Sequence, residues 1–220
     1  MARPAPAVDL PALLRAVERT ATFDVPATAD VRIEPGAPNP LRLAGRGHVV
    51  RLEVAGDWRA VVKTSKTVVL AMGRAARESA EATLPGSALL VADFAPFTAG
   101  MLRVPLISDE GPTGVVVNGE PRPPSPYTLL VYTIDPERFV ARAAKYYRWE
   151  INNLVQMTRI REWDTVGTHP RPKVVDVQDT ASGKTTTLTF AWRLRPDLAA
   201  TLFLPSGLGS PLPASDAAAP

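Results

Sequence analysis

A chain of 220 residues with 45% hydrophobic, 21% charged and 6% aromatic side chains has a globular composition, which excludes a collagen, a coiled coil and a chain disordered throughout. Its formal net charge is only +3, spread without a basic arm or acidic tail, so the overall balance implies no nucleic-acid partner. Cysteine is absent and histidine occurs twice, as His48 and His169, which excludes disulfides, thiolate nucleophiles and a Cys- or His-rich metal site; no cofactor or metal is expected.

Residues 1–7 and 205–220 are rich in Pro, Ala, Ser and Gly and are expected as disordered tails around one compact domain at 8–204. Asp9 is placed to cap a first helix running to about Thr20, with Leu10, Leu13, Leu14 and Val17 on one side. Residues 24–40 read as a loop. Val49–Val54 and Trp58–Thr64 then alternate as a hairpin about Gly56-Asp57. The spacing of Val68, Val69, Met72, Ala75, Ala76 and Ala80 predicts a middle helix over 67–83. Ser87–Phe94, Gly114–Val117 and Tyr127–Ile134 read as strands, the last preceded by a stiff Pro-rich segment at 121–126. Asp135 is placed to cap the longest helix, 136–159. Val174–Val177 and Thr185–Arg193 close the chain as a second hairpin. The expected class is α+β: a mixed or antiparallel sheet with an N-terminal helix, a middle helix and one long amphipathic helix.

That long helix carries the sequence-level hypothesis. One side would be apolar, with Val140, Ala144, Tyr147, Ile151 and Val155. The other would carry Arg138, Arg142, Lys145, Trp149, Asn152, Gln156 and Arg159, with Arg148 at its edge. Residues 138–161 hold six basic side chains (138, 142, 145, 148, 159, 161) against one acidic (Glu150), a local charge of +5. Cations for phosphates around a flat indole predict a non-enzymatic protein that binds DNA or RNA. The alternative is a structural or assembly subunit bound to itself or to another protein, since Trp and Arg also favour interfaces.

The catalytic inventory is sparse. No Gly-x-Ser-x-Gly or Gly-x-Gly-x-x-Gly occurs, and Ser182-Gly183-Lys184-Thr185 lacks the upstream glycine and following helix of a phosphate-binding loop. The predicted order over 8–94, helix–strand–strand–helix–strand, faintly resembles the core of the restriction-endonuclease-like nucleases. That resemblance places Lys63 at the catalytic lysine. Val61 stands where the family has a metal-binding carboxylate, which implies a degenerate domain without activity. The N-terminus lacks the apolar stretch of a secretion signal, and the longest apolar runs fall far short of the roughly 20 residues of a membrane span. The expectation is a cytoplasmic protein with no membrane partner.

Overall fold

A computed structural model describes residues 8–35, 40–54, 58–63, 67–72 (as backbone), 77–111 and 113–214. It is built around strands. Helix α1 spans Leu10–Ala21, and the strands are β1 (Phe23–Glu34), β2 (Leu41–Gly47), β3 (Val49–Val54), β4 (Trp58–Lys63), β5 (Thr67–Met72), β6 (Arg77–Glu78), β7 (Leu102–Gly111), β8 (Gly114–Pro121), β9 (Leu129–Asp135), β10 (Val140–Tyr147), β11 (Leu154–Val166), β12 (His169–Asp179) and β13 (Thr185–Leu194). They form one antiparallel sheet in the order β6-β5-β4-β3-β2-β1-β13-β12-β11-β10-β9-β8-β7. Two meanders are stitched together where Ala27–Glu34 of β1 pairs with Thr187–Leu194 of β13.

Such a sheet cannot lie flat. β3 and β9 are seven steps apart in strand order, or roughly 34 Å at about 4.8 Å per step. Yet Val50 of β3 and Leu130 of β9 line the same internal space, together with Val17 of α1. The sheet therefore curls around α1, as a twisted sheet of more than about ten strands tends to.

The helix is where the sequence placed it. Asp9 accepts a hydrogen bond from the Ala12 amide (3.1 Å), Pro11 sits in the first turn, and Leu13, Leu14, Ala16 and Val17 are buried. Both expected hairpins also form, as β3–β4 and β12–β13.

The two other helices do not form, so the α+β expectation is corrected to an almost all-β architecture. Where the middle helix was expected, residues 67–72 pair with β4 and 77–78 with β5. The long helix is replaced by a turn, β10, a second turn and β11. The cause lies in the β-bulges. β10 slips register against β9 between Ala141 and Ala143, and β11 slips against β12 on both sides of Glu162. Each bulge adds a residue, so the cavity-facing positions of β11 fall at 156, 158, 160 and 163, and a spacing of three mixes with spacings of two. Ala, Arg and Lys in Val140–Tyr147 favour helix locally, and strand pairing overrides them. Phe139 and Trp149, at the two turns, have φ of 53° and 61°, which no helix interior permits. The 24–40 loop is also corrected, since β1 occupies Phe23–Glu34 and a register shift after Phe23 accommodates Pro26. Ser87–Phe94 is not a strand but a bridge between Thr83 and Leu90 followed by a 3-10 turn at Val91–Phe94.

The curled sheet covers its outer face unevenly. Leu198, Phe203, Leu208 and Leu212 are buried against Ala44, Val49 and Val61 on the outside of β2–β4. Residues 205–214, expected as the start of a tail, are part of this layer. Four arginines hold it through backbone carbonyls: Arg46 on Leu198 (3.0 Å), Arg51 on Leu202 (2.9 Å) and Gly207 (3.0 Å), Arg59 on Leu208 (3.2 Å) and Arg42 on Leu212 (3.1 Å). Glu53 accepts the Leu212 amide at 2.8 Å. Polar side chains that bind carbonyls secure this segment with few demands on its sequence, which is why a Pro-, Gly- and Ser-rich stretch can pack there. The expected tails at 1–7 and 215–220 lie outside the described residues.

A candidate ligand cavity between the helix and the sheet

An apolar cavity of about 270 Å³ lies between α1 and the inner face of the sheet. Its volume equals about nine water-sized groups at roughly 30 Å³ each. A well-packed core does not leave a space of this size. The walls come from Val17 and Ala21 of α1, from Phe23, Leu43 and Val50 of β1 to β3, from residues of β9 to β13, and from the loop at Phe94–Phe97.

The long axis follows β11, from Gln156 to Trp163, roughly 20 Å at about 3.3 Å per residue. The Trp163 end is aromatic. Trp192 stacks on Phe190 (5.7 Å, 7°) and tilts against Phe23 (5.8 Å), while its indole N–H donates to the Pro172 carbonyl at 2.7 Å. Phe139 is 41% exposed at this end. Gly45 makes room for the Phe23 ring, since a Cβ there would lie 2.5 Å from its ring carbons.

Arg171 fixes the helix over the cavity. Its guanidinium donates to the carbonyls of Thr20 (2.8 Å), Ala21 (3.3 Å) and Thr22 (2.6 Å) at the end of α1, and lies 4.2 Å above the Phe23 ring. A cation at a helix C-terminus satisfies its orphan carbonyls and the macrodipole together. Burial lowers the Arg171 pKa to about 10, partly offset by Asp24, and the group stays charged at neutral pH.

The other end is polar. The Asp93 carboxylate accepts the Tyr127 hydroxyl (2.6 Å) on Oδ1 and the Gln156 amide (2.9 Å) on Oδ2. Burial raises the Asp93 pKa to about 6; the bonds from Tyr127 and Gln156, the charge of Arg148 and a bond from the Leu90 backbone pull the other way. Tyr127 and Tyr146 are pushed well above the ordinary phenol value, chiefly by burial. Arg148 lies 5.5 Å over the Tyr127 ring, with Nε and Nη2 buried and without a hydrogen-bond partner among the described residues.

The residues assigned to a nucleic-acid face do not share one. Arg138 is in the β9–β10 turn and Trp149 and Asn152 are in the β10–β11 turn, at opposite ends of β10. Arg142 is the extra residue of the β10 bulge and pairs at 3.8 Å with Asp135. Lys145 and Arg159 project from β10 and β11, exposed. Arg148 folds onto Tyr127, and Gln156 points inward to Asp93. The local +5 is a property of the sequence that the strands disperse, so the basic, Trp-bearing face and the DNA- or RNA-binding function built on it are withdrawn. The nuclease-like order is also lost, because an antiparallel meander runs from β1 to β6 with no second helix among the described residues.

Sequence reasoning missed Asp93, Tyr127, Arg171, Trp163 and Trp192. For Asp93 a signal existed: it is the one acidic residue in the long apolar stretch from Leu84 to Ile107. Arg171, flanked by two prolines, carried none.

No protein-family model and no curated protein matches the sequence. Solved structures do match the fold. A DUF1329 family protein from Desulfovibrio piger superposes with a TM-score of 0.71 at 13% identity, over 91% of this chain and 96% of that one. A LolA superfamily protein from Nitrosomonas europaea gives 0.69 at 14% identity, over 90% and 98%. A domain from Vibrio parahaemolyticus, described as an outer membrane lipoprotein-sorting protein, gives 0.66 at 14% identity, over 91% and 98%. These likenesses overturn the expectation of a cytoplasmic nucleic-acid or assembly protein with no link to membranes. That expectation rested on missing apolar spans; a fold that encloses an apolar cavity needs none. The chain shares the fold of LolA-superfamily and DUF1329 proteins.

Proposed function

We propose that this protein is a binding or carrier protein of the cell envelope, which takes the aliphatic chain of a lipid or lipid-modified protein into the cavity between α1 and the sheet. The observation that carries this reading is the cavity itself: elongated, apolar along its walls, aromatic at one end, and bounded by a helix held at its C-terminus by one buried arginine. Apolar pockets with a few placed polar groups are the common form of a small-ligand site. The neighbour described as a lipoprotein-sorting protein supports the choice of ligand class. No chemical step is asked of the site; its residues bind and exclude water.

Trp163 and Trp192 line the cavity and report its occupancy. Titration of lipid-stripped protein with tetradecanoic acid is expected to change tryptophan emission saturably, and liposomes are expected to compete for the bound acid. An unchanged spectrum, together with no retained fatty acid on a desalting column, contradicts this function.

A further inference from the structure

The polar end of the cavity carries a specificity that an apolar tunnel does not need. Asp93, Tyr127 and Gln156 all line it. Their hydrogen bonds run inward to one another: the Tyr127 hydroxyl proton is spent on Oδ1 of Asp93, and one Gln156 N–H on Oδ2. An ionised carboxylate has about four acceptor positions; these bonds and one from the Leu90 backbone use three, which leaves room for one more donor. The Tyr127 oxygen and the Gln156 carbonyl keep lone pairs as well. What the cluster has left is therefore mainly acceptor capacity, next to a cavity otherwise walled by hydrocarbon. A methyl terminus pressed against it would desolvate these acceptors without replacing a bond. A carboxylate would meet another carboxylate. The Arg148 charge already acts on Asp93 from behind the Tyr127 ring, which reduces the attraction for an added cation. The group that fits is a neutral donor.

We infer that the Asp93–Tyr127–Gln156 cluster is a recognition site for a hydroxyl group carried by the aliphatic chain, so that the ligand is a hydroxylated acyl chain or a long-chain alcohol rather than a plain saturated chain. This rests on the proposed lipid-binding function of the same cavity and adds what the buried end of the ligand is. Asp93 is a positioning and specificity residue; no bond is made or broken.

The test compares tetradecanoic acid with its ω-hydroxy derivative on the full chain, by calorimetry and tryptophan emission. Both carry a carboxylate for the Trp163 end and differ only at the far end. The ω-hydroxy acid is expected to bind about tenfold more tightly, the scale of one hydrogen bond to a charged acceptor. In an apolar pocket it would bind about tenfold more weakly, because the hydroxyl would be stripped of water without a partner. Asp93→Asn keeps the size of the side chain and is expected to reduce the preference to under about threefold. Equal binding, or tighter binding of the plain acid, overturns the hydroxyl site and leaves the lipid function standing. If neither acid binds, the function proposed for the cavity fails and the hydroxyl site with it. An unchanged preference in Asp93→Asn overturns the assignment to this cluster.

Discussion

The two faces of the sheet solve the same problem differently. Outside β2–β4, the chain's own C-terminal layer fills every contact: Arg51 is fully buried, and Leu198, Leu208 and Leu212 are each at most 3% exposed. Inside, beneath α1, the side chains stop short and leave about 270 Å³ empty. One chain thus packs a Pro- and Gly-rich strap tightly over part of one face and leaves a space on the other. The empty face is the one with aromatic walls, a polar end and a helix held at its rim. What separates the faces is how the polar groups are used: arginines bind carbonyls of the same chain outside, while inside Asp93 lines the cavity and binds Tyr127 and Gln156.

Perturbing each face in turn sharpens the contrast. The largest effect on stability is expected at Arg51. Arg51→Ala strands the buried carbonyls of Leu202, Gly207 and Ser210, costing about 4 kcal/mol in urea unfolding, and should make residues 198–214 the first site of proteolysis. Fatty-acid affinity of the folded fraction should be unchanged, since the damage is on the far side of the sheet. Next is Arg171→Leu, which frees the end of α1; about 2 kcal/mol is expected from denaturant midpoints, with weaker ligand binding because the helix forms a cavity wall.

Asp93 gives a pH-dependent effect. Its folded pKa of about 6 stands above the ordinary 3.8, so the folded state holds a proton that the unfolded state releases. This contribution is fully present below about pH 4 and is lost as pH rises through 6, so stability falls across that window. Asp93→Asn removes the ionisation. The variant should match the wild type near pH 4 and exceed it by about 2 kcal/mol at pH 8, in paired thermal melts. A variant less stable at pH 8 would show that the hydrogen bonds to the carboxylate outweigh its burial. The smallest effect belongs to the residue that looked most functional from sequence. Trp149 is 78% exposed in a turn, and Trp149→Ala should shift stability by no more than about 0.5 kcal/mol and leave ligand binding intact.

The sequence showed α1, with its cap and buried stripe, the β3–β4 and β12–β13 hairpins and the strands at Gly114–Val117 and Tyr127–Ile134, because those signals are local. It hid the rest for identifiable reasons. Bulges at Arg142 and around Glu162 broke the two-residue alternation of β10 and β11 into spacings that mimic a helix. Alanine, arginine and lysine reinforced that pattern. The cavity could not be seen, because its walls join Val50, Leu130 and Val17 across a curl that only the thirteen-strand order creates. Asp93 was visible as a lone carboxylate in an apolar run, but its partners Tyr127 and Gln156 lie 34 and 63 residues away.

The central claim is that the space under α1 holds an aliphatic chain. Ala144 lies on the cavity wall at 5% exposure, and Ala144→Phe projects a ring into that space. Isothermal titration of wild type and Ala144→Phe with tetradecanoic acid, checked by circular dichroism, decides it. Saturable binding to the wild type, weakened at least about tenfold in a variant that keeps its fold, is the predicted result, on the scale of a small ligand's lost apolar contacts. Equal affinity in the two proteins would place the ligand elsewhere and contradict the account.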